Sequence, residues 1–99
     1  MTGHYDSRRI DINDYVNDAP GSDDDATGVA VVMEMARLCA TKKPKATMIF
    51  AAVAGEEQGL YGSGNLAATL KNQSYNVEGN CMCLLGSRSA CYELQRADG

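Results

Sequence analysis

Residues 46–59 read Ala46-Thr-Met-Ile-Phe-Ala-Ala-Val-Ala54-Gly55-Glu56-Glu57-Gln58-Gly59. The stretch from Ala46 to Ala54 is a short, nearly unbroken apolar run bounded by Pro44 and Gly55, the pattern of a central strand buried on both faces. Two adjacent carboxylates follow at the strand's end. Helix-length segments flank it. Between about Ala26 and Ala40, Val29, Val32, Met33, Ala36 and Cys39 recur at steps of three and four, as one helix face does. Ala30, Val31, Met35 and Leu38 are apolar too, which predicts a helix buried on most sides. Residues 64–71 predict a second, shorter helix. Residues 1–5 read as the end of a strand, and Val77 onward as the start of another. The order strand, loop, helix, strand, loop, helix predicts an α/β layered domain with ligands gathered at the carboxyl ends of its strands.

The 99 residues carry 13 Asp plus Glu against 9 Lys plus Arg, for a net charge of −4. With 44% hydrophobic and 22% charged residues the chain has a globular balance, which excludes wholesale disorder and fibrous classes. Only Lys42, Lys43 and Lys45 cluster, so no basic surface for nucleic acid is expected. No run of about 18 apolar residues is present, so no membrane span is expected, and the residues after Met1 lack a basic and apolar leader pattern, so no signal peptide is expected in this sequence as written. The acidity is local: residues 1–25 hold seven Asp against Arg8 and Arg9, a net of −5, leaving +1 for the other 74. Cys39 stands alone while Cys81, Cys83 and Cys91 fall in the last 19 residues. Cys81 and Cys83, two apart, would share one face of an expected strand, a poor geometry for bridging each other, and the body of the chain does not resemble a disulfide scaffold.

Three clusters carry the chemistry: Gly3-His4-Tyr5-Asp6-Ser7, Pro20-Gly21-Ser22-Asp23-Asp24-Asp25-Ala26 and Gly55-Glu56-Glu57-Gln58-Gly59. Each sits at an expected strand end or helix start. An imidazole and several carboxylates meeting there would suit zinc or a similar divalent ion. In the adjacent Glu pair one carboxylate could ligate while the other moves protons. Each cluster also has a plainer reading: a satisfied histidine, a solvated turn capping a helix N-terminus, an exposed charged pair. Spacing alone leaves both open.

Taken together, residues 3–7, 19–30 and 54–63 resemble the two-zinc (co-catalytic) exopeptidases, a family of secreted bacterial and fungal aminopeptidases. Residues 2–79 are similar to the fungal peptide hydrolases of that family. The resemblance implies a three-layer α/β domain with a central, mostly parallel sheet, incomplete in this chain, with residues 1–79 as part of the catalytic domain. It implies two zinc ions per intact domain. His4 matches a ligand of one zinc, and Asp6 the carboxylate that orients it. Asp24 matches the carboxylate bridging both ions, followed by a non-proline cis bond to Asp25. Glu57 matches a ligand of the second zinc, and Glu56 the general base that takes a proton from the attacking water and passes it to the leaving amine. The implied activity is hydrolysis of the N-terminal bond of peptides with a free amino terminus, outside the cell.

From Asn80 the sequence leaves the family pattern. If Gly86-Ser87 aligns with the family's Gly-Ser, Cys83 stands where the family places a further Asp ligand, a place where a thiolate could bind zinc instead, and the distal His ligand is missing, His4 being the one histidine in the chain. Residues 80–99 therefore read as a divergent tail from a shifted frame, a splice artefact or a truncated gene product, and Met1 reads as opening in mid-domain. The expectation is that the 99-residue chain alone binds zinc weakly and is inactive. The alternative is a non-catalytic relative of the same fold, a receptor-like or binding protein.

Overall fold

A computed structural model describes residues 1–79. Two parallel strands and two helices alternate along the chain: β1 (Thr2–His4), α1 (Thr27–Ala40), β2 (Ala51–Val53) and α2 (Tyr61–Asn72). The strands pair in register Thr2 with Ala51, Gly3 with Ala52 and His4 with Val53. The ladder is extended by Ala51 N–H donating to the Met1 carbonyl at 3.1 Å and Tyr5 N–H to the Val53 carbonyl at 3.0 Å. Parallel pairing through an intervening helix places the ends of both strands, His4 and Val53, on the same edge of the sheet. The three chemical clusters begin there.

α1 runs directly against β1. A Cβ built on Gly3 would lie 2.9 Å from Val29 N and 3.0 Å from the Gly28 carbonyl carbon, so only a residue without a side chain lets the helix backbone approach this closely. Gly28 and Val32 are the buried residues of the helix. A five-residue turn, Ser22–Ala26, precedes it, with Asp24 (φ −121°, ψ 94°) and Asp25 (φ −135°, ψ 39°) out of helical conformation and a cis bond between them. The turn closes through Ala26 N–H donating to the Gly21 carbonyl at 3.1 Å.

The α/β order and both helices follow the sequence expectation; three details differ. The run from Ala46 to Ala54 is not a long buried strand: pairing is confined to Ala51–Val53, and Met48 and Ile49 are exposed. Likewise α1 is buried along one line and not on most sides, with Met33 68% exposed. The reason is the same for both. Among the described residues the sheet has two strands and α1 packs on β1, so each apolar element has a partner on one side only. α2 begins at Tyr61, three residues before expectation, because Tyr61 N–H bonds the Gly55 carbonyl and Gly62 N–H the Ala54 carbonyl, both at 2.9 Å, anchoring its first turn on the end of β2. Residues 77–79 are irregular, and the remainder of the expected third strand, with Cys81, Cys83, Cys91 and the tail 80–99, lies outside the described residues. Cys39 is free. Among the described residues no helix is long and apolar enough to cross a membrane.

Candidate metal centre

The site is built on the end of β1. His4 is 1% exposed, and among the described residues it and Asp25 are the largest fully buried side chains. A buried imidazole must have both ring nitrogens engaged. Nδ1 lies 3.0 Å from the backbone carbonyl of Asp6, an acceptor, so in the neutral ring Nδ1 carries the proton. That leaves the lone pair on Nε2 directed at the carboxylates: Asp24 Oδ1 at 3.0 Å and Glu56 Oε2 at 3.7 Å.

Asp25 supports this arrangement from beneath. Its Oδ2 accepts the backbone N–H of His4 at 3.2 Å and its Oδ1 accepts the Gly28 N–H at 3.1 Å in the first turn of α1. One buried carboxylate thus ties the end of β1 to the start of α1, satisfying a free helix N–H. Asp24, its neighbour, is turned outward, with a side chain 67% exposed. Thr27 Oγ1 donates to the Asp23 carbonyl at 2.9 Å, holding the turn from the other side.

Asp6 forms the second tie. Its two carboxylate oxygens accept the backbone N–H groups of Glu56 (3.3 Å) and Glu57 (3.2 Å), locking the turn after β2 to the loop after β1. That turn needs Gly55 at φ 74°, where a side chain would be strained. The ring of His4 is therefore oriented by the Asp6 carbonyl, while the Asp6 carboxylate stands 3.6 Å from Nδ1. The clamp splays the two glutamates: Glu56 reaches toward His4, and Glu57 Oε2 accepts from Arg8 Nε at 2.7 Å.

The electrostatics follow. Burial disfavours the charged form of His4, but the Asp6 carbonyl, Glu56, Asp24 and Asp25 outweigh it and raise its pKa above 6.5. Desolvation likewise pushes Asp6 up, yet the amides of Glu57 and Glu56, its own amide and His4 hold its carboxyl below 3.8.

The structure thus brings His4, Asp24 and Glu56 together with Asp6 behind them, and places Glu57 to the side against Arg8. Among the described residues no three His, Cys, Asp or Glu side chains close into a compact ion-binding cluster. The pair His4 and Asp24 does have the right chemistry and spacing. Two donors on one tetrahedral zinc, each at 2.0–2.2 Å, lie about 3.3 Å apart, and these are at 3.0 Å. The expected capping of the helix N-terminus by the Asp23–Asp25 cluster is made by Asp25 through the Gly28 N–H, whereas its tie to the His4 backbone and the Arg8–Glu57 pair, 21 and 49 residues apart, leave no signal in the sequence.

A parallel βαβ unit with an imidazole and carboxylates at the carboxyl edge of its sheet is the layout of an α/β metallohydrolase site. The family comparison agrees: residues 1–87 match the model of peptidase family M28, and the chain belongs to that family. Its curated relatives include proteins each named "probable zinc metalloprotease". One from Leptosphaeria maculans is 62% identical over 88 residues, covering 88% of this chain and 20% of the relative. One from Pyrenophora teres f. teres is 61% identical over 88 residues, 88% of this chain and 18% of the relative. One from Pyricularia oryzae is 61% identical over 79 residues, 80% of this chain and 16% of the relative. The chain spans about one fifth of the length of these relatives. No solved structure matches it.

Proposed function

We propose that the chain supplies part of the metal centre and the proton-transfer carboxylate of a zinc aminopeptidase. The observation that carries this reading is the convergence of the buried His4 Nε2 on Asp24 Oδ1 and Glu56 Oε2. His4 and Asp24 would hold a zinc ion between them, Asp24 would bridge to a second, and Glu57 would serve that second ion. Zinc, when bound, supplies a Lewis-acid charge that polarises a scissile carbonyl and acidifies water.

The residues of the chain do the rest. Nδ1–H of His4, held by the Asp6 carbonyl, keeps the lone pair on Nε2, the form a metal requires. Asp6 fixes the backbone of Glu56 through its amide, so the side chain has a defined origin from which to reach the reacting atoms. Glu56 stands 3.7 Å from Nε2, beyond ordinary hydrogen-bond contact, so its carboxylate keeps the freedom to accept a proton from water and return it to a departing amine. Asp25 takes no part in chemistry and holds the His4 backbone. The substrates proposed are peptides with a free amino terminus, processed outside the cell.

Zinc uptake after alkylation of the four cysteines, measured by equilibrium dialysis, tests the metal assignment: uptake lost in both His4→Gln and Asp24→Ala supports it, and uptake unchanged in both overturns it. For the activity, residues 1–79 replacing the matching segment of the Leptosphaeria relative should support hydrolysis of an aminoacyl-4-nitroanilide. That turnover should disappear with Glu56→Gln and with chelator and should not extend to the N-acetylated substrate. Turnover that survives Glu56→Gln overturns the general-base role. Hydrolysis confined to N-blocked peptides overturns the aminopeptidase reading.

A further inference from the structure

Arg8 and Arg9 are adjacent, yet they are used in opposite directions. Arg9 is spent on its own loop: Nε lies 3.0 Å from Asp14 Oδ2 and one terminal nitrogen donates to the Asp18 carbonyl at 3.0 Å. Asp14 in turn accepts the backbone amides of Val16 and Asn17 and the Asn17 side chain, so residues 9–18 form a self-closed unit anchored on Arg9. Arg8, at the root of that unit, reaches across the sheet edge and donates from Nε to Glu57 Oε2 at 2.7 Å. The Glu57 side chain is 14% exposed and that of Arg8 44%, so the carboxylate is the more buried member of the pair. Among the described residues Glu57 Oε1 has no hydrogen-bond partner, and the Glu57 backbone is separately pinned by Asp6.

We propose that Arg8 is the positioning residue for Glu57: it binds one carboxylate oxygen, Oε2, from outside the site and leaves Oε1 to face a metal ion. The inference rests on the reading of Glu57 as a zinc ligand. A carboxylate that ligates through one oxygen still has a second oxygen to satisfy, and a charge-assisted bond from a planar guanidinium fixes its torsion. Without Arg8, Glu57 retains its backbone position through Asp6 but loses the direction of its side chain.

Equilibrium dialysis of the full chain against Zn2+ after cysteine alkylation, with circular dichroism to verify folding, tests this. Arg8→Gln is expected to weaken zinc affinity about tenfold, in the range seen when groups orienting metal ligands are removed, and Arg8→Lys, which keeps the charge but not the fork, to recover part of it. The decisive arm is the cycle with Glu57→Ala: in that background Arg8→Gln should have no further effect. Unchanged affinity in Arg8→Gln overturns the proposal. So does tighter binding, which would make Arg8 a competitor for Glu57, and so does an equal loss in the Glu57→Ala background, which would make its role purely structural. Failure of the wild-type chain to take up zinc overturns the metal assignment itself, and this proposal with it, and is told apart by the absence of any wild-type signal.

Discussion

The buried carboxylate of Asp25 accepts the backbone N–H of the buried His4 at 3.2 Å. The same carboxylate takes the Gly28 N–H at 3.1 Å, so two elements 21 and 3 residues away are joined through one side chain. Asp25→Ala leaves two buried N–H groups without acceptors. It is expected to destabilise the chain by about 2–4 kcal/mol, with Asp25→Asn, which keeps one acceptor oxygen, costing less. Urea unfolding followed by circular dichroism checks both, and equal stability of Asp25→Ala and wild type would contradict the tie.

Asp6 gives the chain acid sensitivity of defined sign. Its folded-state pKa lies below 3.8, so the unfolded chain binds the proton more readily, and the stabilisation is present above pH 3.8 and lost as the pH falls through the folded value. Asp6→Asn presents an amide in place of one carboxylate acceptor and should cost about 1–2 kcal/mol at neutral pH. Its stability should also fall less steeply than that of wild type below pH 3.8, as read from urea midpoints across pH.

His4 behaves in the opposite sense. Its folded pKa is raised above 6.5, so in the metal-free chain its contribution is fully present below pH 6.5 and is lost as the pH rises through the folded value. Zinc needs the neutral ring, and its uptake should therefore strengthen over the same rise and release a proton. The thermal midpoint of the metal-free chain should drop across this window more in wild type than in His4→Gln. Saturating zinc at about 100 times its Kd should add about 2.7 kcal/mol to wild type, reversed by chelator, and nothing to His4→Gln.

Gly3 is where α1 meets the sheet. A Cβ there would sit 2.9 Å from Val29 N and 3.0 Å from Gly28 C, both backbone atoms that cannot rotate away. Gly3→Ala is expected to push α1 off β1 at a cost of about 1–3 kcal/mol. Because Gly28 also carries the Asp25 contact, the substitution should weaken zinc uptake by displacing the Asp24–Asp25 turn. Wild-type stability in Gly3→Ala would show that the helix does not approach so closely.

Much of the site could be read in order along the chain. The periodicity of Val29, Val32, Met33 and Ala36 gave α1, and the break from an apolar run into Glu56-Glu57 marked the edge of the sheet where His4 also ends up. The pairing of His4 with Asp24 was anticipated only through resemblance, for spacing left a solvated acidic turn equally open. The extent of burial was overestimated because apolar composition reports which surfaces can be covered, and the tertiary structure decides which have a partner: α1 has β1 on one side, and β2 has β1 on one edge.

What the amino-acid sequence determined by itself is the set of local conformations and the kinds of donor atoms, since helix periodicity, turn glycines and side-chain chemistry act over a few residues. What only the tertiary structure decided is which donors face one another. Asp6 is spent on the amides of residues 50 and 51 positions away, Asp25 on the His4 backbone, and Arg8 on Glu57 across 49 residues. Adjacent glutamates tell nothing of which one turns toward the imidazole. That choice is made where the ends of two parallel strands meet, by hydrogen bonds between loops that are distant in the chain and neighbours in space.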